Sequence, residues 1–104
     1  MTTLVLGRES ATVEAIVSAA RSHGLAIAGV ISDAEALARL DSGQTTTFVI
    51  GGGVDQHSRE KLKQRAHANS VAVLEEPLAG RDIAAYVQQV LVPYVDSVST
   101  ENQQ

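Results

Sequence analysis

Apolar residues fall in two alternating rhythms along the chain, one of short continuous runs and one of a 3.6-residue period. Residues 4–6 are a brief apolar run, the mark of a buried strand. Val13, Ile16, Val17 and Ala20 then recur at i, i+3, i+4 and i+7, which predicts a helix with one buried face. Ser10 stands where a cap is needed, and Gly24 where a left-handed residue closes the helix. Residues 25–31 read as a second strand, with Ala26, Ala28 and Gly29 leaving room for close helix packing. Ser32, three residues before Glu35, begins a capping box for a second helix that turns Leu37 and Leu40 inward and ends at Gly43.

The alternation continues in the second half. Residues 46–50 read as a third strand and break into Gly51, Gly52 and Gly53. Asp55 or Ser58 caps a third helix to about Ala68, where Leu62 and Ala66 are almost the only inward candidates. Residues 71–74 form the fourth strand. After Pro77 and Gly80, a last helix carries Ile83, Val87, Val90, Leu91 and Tyr94 on its apolar side. Residues 96–104 have no period and are expected to be a disordered tail behind a single domain of residues 1–95.

Strands alternating with helices over short connections imply right-handed crossovers and a parallel sheet covered on both faces. The expected architecture is a three-layer α/β/α sandwich of four strands in the order 2-1-3-4. Its strand order reverses between the first and third strands, and ligands of open α/β sheets sit at such a point. The loops meeting there hold Gly7, Arg8 and Ser10 on one side and Gly51, Gly52 and Gly53 on the other. These six are the candidate ligand-binding residues.

Three stretches resemble the receiver domain of two-component response regulators. "LVLGRES" sits where that family has a strand ending in an acidic pair. "GVISDAEALARLDSGQTTTFVIGG" resembles its second strand, second helix and third strand. "VAVLEEPLAGRDIAAYVQQVL" resembles its final strand, lysine–proline turn and last helix. The resemblance implies a flavodoxin-like, Rossmann-like fold, shortened by one helix–strand unit between the glycines and Pro77. It also implies that the family's chemistry is gone. The acidic pair that would hold Mg²⁺ aligns with Gly7 and Arg8, the phosphoacceptor aspartate with Gly51, and the lysine with Glu76. A hard divalent cation needs oxygen ligands and a phosphoryl acceptor must be a nucleophile. The implied protein is a pseudo-receiver, a signalling module without catalytic residues.

Composition narrows the rest. The chain has 104 residues, enough for one modest core, and only 3% are aromatic, so aliphatic side chains must fill it. There is no cysteine, which excludes disulfides and thiolate metal sites. His23, His57 and His67 show no ligand spacing, so no metal and no cofactor are expected. His57, Ser58 and Asp55 hold the letters of a catalytic triad, but capping explains Asp55 and Ser58 more simply. A dinucleotide fingerprint is missing after the first strand. Net charge is −4, against nucleic-acid binding, and no apolar run reaches membrane length. A cytoplasmic protein is expected.

Two features point to partners. Arg59, Lys61, Lys63 and Arg65 are half of the 8 basic residues, a solvated helix face or a dock for an acidic protein. The fourth strand is expected at a sheet edge, and Val71, Val73, Val87, Val90, Leu91 and Tyr94 are expected to form a homodimer face. Two functions remain open. One is a non-catalytic, self-associating or docking module. The other is a small domain binding a phosphate-containing ligand or nucleotide, with Arg8, the glycine-loop N–H groups and helix N-termini cradling the anion.

Overall fold

The structure, a computed structural model, describes residues 2–75 and 82–102, with side chains as far as residue 97. Four parallel strands, β1 (Thr2–Leu6), β2 (Ile27–Val30), β3 (Thr45–Ile50) and β4 (Ala72–Leu74), form one sheet in the order β2-β1-β3-β4. This is the expected order. Successive strand residues face opposite sides, and the side chains sort accordingly. Leu4, Leu6, Phe48 and Ile50 meet Ala36 and Leu40 of α2 (Asp33–Asp41) and Leu62 and Ala66 of α3 (Gln56–Ala68). Val5, Ile27 and Val49 face the other way, onto Ile16 and Ala20 of α1 (Ser10–Ser22) and onto Val87 and Leu91 of the last helix. Burial of each such Leu, Ile, Val or Phe contributes roughly 1.5–3 kcal/mol before chain entropy is counted. Phe48, fully buried, supplies much of the aromatic volume.

Helix α1 lies close on the sheet because glycine lies beneath it. A Cβ on Gly29 would stand 2.4 Å from Val13 Cγ1, and one on Gly7 would stand 2.7 Å from Val13 Cγ2. Its far end closes as the sequence suggests. Gly24, at φ 84°, donates to Arg21, while the Leu25 N–H reaches back to the Ala20 carbonyl. That paired closure takes Leu25 out of the second strand, which therefore begins at Ile27. Helix α3 ends the same way, with Ser70 at φ 59° and the Val71 N–H on the Ala66 carbonyl, so β4 starts at Ala72. Ser32 and Asp55 cap α2 and α3, by accepting from the N–H groups of Glu35 and Ser58. Ser10 is not a cap. Glu9 occupies the cap position of α1 without a side-chain cap bond, and Ser10 is the first helical residue.

The last helix differs from expectation in length and geometry. It runs as α4 (Ile83–Tyr86), a π turn over Val87–Leu91, and α5 (Val92–Asn102), into the stretch expected to be a tail. Proline inside a helix has no N–H to give and crowds the preceding turn. Pro93 is preceded by a widened turn in which the Val92 N–H bonds Val87, five residues back, so the helix passes the proline without breaking. No glycine or second proline follows before Asn102 to stop it.

Candidate functional site

Strands β1 and β3 end side by side, and their following helices leave to opposite faces of the sheet. A cleft of about 390 Å³ opens there on the α1 side. Val5 and Val49 line it from the sheet, Val13 and Ile16 from α1, and Tyr86 from α4. Gly7, Arg8, Gly51, Gly52 and Gly53 also line it, so the two expected loops do meet at one place. Ser10 is not among the lining residues.

The glycine loop is a closed turn. The Gly51 N–H donates to the Leu6 carbonyl at 2.8 Å, and the Val54 N–H donates to the Gly51 carbonyl at 3.3 Å. None of the three glycines has a positive φ, so left-handed freedom is not why they are there. At Gly51 the reason is close approach, since a Cβ would stand 3.0 Å from the Leu6 carbonyl oxygen. A Cβ on Gly53 would make only ordinary contact with Arg8.

Arg8 touches the cleft, but its guanidinium turns to the opposite side. Nη1 donates to the Ile31 carbonyl at 3.1 Å, and Nη2 donates to Asp33 Oδ1 at 2.7 Å and to Ser58 Oγ at 3.3 Å. The Ser58 hydroxyl donates to Asp33 Oδ2 at 2.6 Å, and its N–H donates to Asp55 Oδ1 at 2.9 Å. Lys61 Nζ lies 3.8 Å from Asp33 Oδ2. The Ser58 hydroxyl, and then Arg8, hold the Asp33 carboxyl below its ordinary value against a small desolvation cost. The Ser58 N–H does the same for Asp55. An anion arriving in the cleft would have to draw Arg8 away from Asp33. The free cationic arm expected of Arg8 is a committed ion pair.

The basic segment is likewise committed. Arg59 Nη1 donates to Glu75 Oε1 at 3.0 Å, Lys63 Nζ to Glu75 Oε2 at 3.2 Å, and Arg65 Nη1 to Asp41 Oδ2. With Lys61 beside Asp33, each of the four bases faces a carboxylate of this chain. Arg59 also binds main chain, with Nε on the Val54 carbonyl at 2.8 Å and Nη2 on the Gly51 carbonyl at 2.6 Å. Among the described residues no three His, Asp or Glu side chains gather as a metal site. Glu76, aligned with the family's lysine, lies outside the described residues.

Much of the expected dimer face is inside the molecule. Val71, Val87 and Leu91 are buried in the core, and Val73 packs partly against it. Val90 and Tyr94 are half-buried. A strand of three residues gives little cover of its own, and the last helix supplies it. Tyr94 donates its hydroxyl to the Val73 carbonyl at 3.0 Å, on the edge strand itself. At the other edge, Arg21 donates to the Ile27 carbonyl at 3.1 Å. Asp33, Ser58, Arg59 and Glu75 are the residues sequence reasoning did not connect to the site. The contacts that join Arg8 to Ser58, Asp33 to Ser58 and Arg59 to Glu75 span 50, 25 and 16 positions, beyond any local pattern. No family model, curated protein or solved structure matches the chain.

Proposed function

We propose that this domain is a receiver-like interaction module that carries out no phosphoryl chemistry and works by docking, to a second copy of itself or to another protein in the cytoplasm. The observation that carries the reading is the Arg8–Asp33–Ser58 network. By the resemblance, Arg8 holds one position of the acidic pair that would bind Mg²⁺. A guanidinium there is a cation already, and Asp33 neutralises it. Gly51 adds no nucleophile, and its backbone is packed on the Leu6 carbonyl. Incubation with Mg²⁺ and acetyl phosphate tests the reading. The intact mass is expected to stay unchanged, and an acyl-phosphate adduct would overturn it.

Docking to a second copy draws support from β4, an edge strand with all three residues only partly buried, next to half-buried Val90 and Tyr94. Val90→Glu is the test, in sedimentation at micromolar concentration. A dimer that Val90→Glu converts to a folded monomer is expected. A monomer in the unsubstituted protein leaves docking to another protein. No helix among the described residues is long and apolar enough to cross a membrane.

A second reading rests on the cleft, whose size falls within the range of small-ligand sites. A phosphate-containing ligand or nucleotide would lie between Gly7, Arg8 and the glycine loop. A thermal-shift series with nucleotides separates this from the first reading.

A further inference from the structure

The loop of Gly51, Gly52 and Gly53 forms one wall of the cleft, and glycines lose more freedom on ordering than any other residue. Something must hold such a wall in one shape. Within the loop only one weak turn bond does so, from the Val54 N–H to the Gly51 carbonyl at 3.3 Å. From behind, one side chain holds both ends. Arg59 places Nη2 on the Gly51 carbonyl at 2.6 Å and Nε on the Val54 carbonyl at 2.8 Å, spanning the turn. Its third arm reaches Glu75, just past the end of β4, and its side chain is 16% exposed. Glu75 is shared with Lys63, at 3.2 Å.

We propose that Arg59 is a strap that sets the shape of the glycine wall, and that Glu75 tightens it from the end of β4. The wall is thereby tied to the β4 edge, so a disturbance of Glu75 is felt in the cleft. The guanidinium is suited to this because its planar fork presents five donors and can serve three acceptors at once. A lysine ammonium at the same place offers a point charge and cannot span both carbonyls. The two carbonyls point toward α3, and that leaves no loop carbonyl of Gly51 or Val54 free to turn into the cleft. Arg59 shapes the cleft wall in the same way whatever the cleft holds.

Amide exchange followed by NMR on the full chain tests it. In Arg59→Met, exchange at Val54 is expected to rise about tenfold or more, while amides of the β1–β3 ladder keep their rates. Arg59→Lys, the gentler change, is expected to speed Val54 as well, and it decides the matter should Arg59→Met not fold. Glu75→Gln is expected to give a smaller rise at the same amide. Unchanged exchange at Val54 in Arg59→Lys and Arg59→Met would overturn the proposal. So would a rise spread evenly over the whole sheet, which would make Arg59 a support of global stability and not of the loop.

Discussion

The carboxyl end of the sheet has two sides, and they are built on opposite principles. Toward α2 and α3, Arg8, Asp33, Ser58 and Asp55 form a hydrogen-bonded network in which every charge meets a partner. Toward α1 and α4, Val5, Val13, Ile16 and Val49 line an open cleft. One backbone turn separates the two, and Arg8 belongs to both by its stem and to the polar side by its head. The polar side has used its charge to join three helix–strand connections, so little of it remains for a ligand. The apolar side is open, and the charged side chain that lines it besides Arg8 is Glu9, an anion. A phosphoryl or nucleotide chemistry needs charge and access at the same place, and here they are divided.

The cleft side is expected to be the more sensitive to added volume. Gly29→Ala places a methyl 2.4 Å from Val13 Cγ1 and 3.0 Å from Val17 Cγ2, so Val13 or the α1 backbone must shift. Overpacking of this kind costs about 1–3 kcal/mol, and the upper end is expected because both contacts are β-branched. Urea denaturation measures it. Val13→Ala in the same chain should recover part of the loss, and additivity of the two would break the claim that α1 is seated on Gly29.

The polar side is expected to respond to acid. Asp33, Asp55 and Glu75 all titrate below their ordinary values of 3.8 and 4.5 when folded. The unfolded chain binds their protons first, so their contribution is complete above those values and is lost as pH falls through the folded ones. Asp33→Ala removes one of these groups, leaving Arg8 without its carboxylate and the Ser58 hydroxyl without its acceptor. A loss of about 1–2 kcal/mol near neutral pH is expected, held down by the partial exposure of the pair. Below the carboxylate range the variant and the parent should converge. A gap that persists there would mean that Asp33 acts through packing and not charge.

How legible this was depends on the range of each contact. The strand order followed from the alternation of short runs and helical periods, and the closures at Gly24 and Gly43 followed from residues beside them. The meeting of Gly7 and Arg8 with the glycines followed from that order alone. What could not be read was the direction of Arg8's head, because Asp33 and Ser58 are 25 and 50 positions distant. Arg59 was missed for another reason: its main-chain acceptors, Val54 and Gly51, are only 5 and 8 positions away, but the sequence presents it as one base in a run. Ser10 misled because a serine before an apolar period has the form of a cap, whereas the helix begins one residue sooner, behind Glu9. Val87 and Leu91 misled because the apolar period marks a wide stripe without saying which of its residues face inward, and these two pack with Val5, Ile16 and Val49 in the core.

A smaller effect of opposite sign is expected beneath the cleft. Thr47 shares its side of the sheet with Val49, is 1% exposed, and its hydroxyl has no partner among the described residues. Replacing the hydroxyl by a methyl of similar shape removes an unpaired buried group, so Thr47→Val is expected to stabilise by about 1 kcal/mol. Destabilisation on urea denaturation would mean that the hydroxyl is hydrogen-bonded after all, and that this layer is not wholly apolar.

The smallest expected effect is none, and it bears most directly on what the divided end can bind. Free phosphate and nucleotides, added in a thermal-shift series, are expected to leave the melting temperature of the protein where it was. The reason is the competition at Arg8. Its Nη2 is 2.7 Å from Asp33 Oδ1, a charge-assisted bond that an arriving phosphate must break or share. Sharing would bring a second negative charge close to Asp33 and Asp55, and breaking would strand Asp33 beside Ser58 and Lys61. Ligand binding raises stability only to the extent that the ligand concentration used exceeds the dissociation constant, so a ligand resisted in this way produces no shift. A nucleotide-dependent rise that Arg8→Ala abolishes would mean that charge and access coincide at this end. Asp33→Asn sharpens the result. By removing the competing charge while keeping the hydrogen-bonding shape, it should create phosphate-induced stabilisation where the parent has none, if Asp33 is what keeps the guanidinium from the cleft.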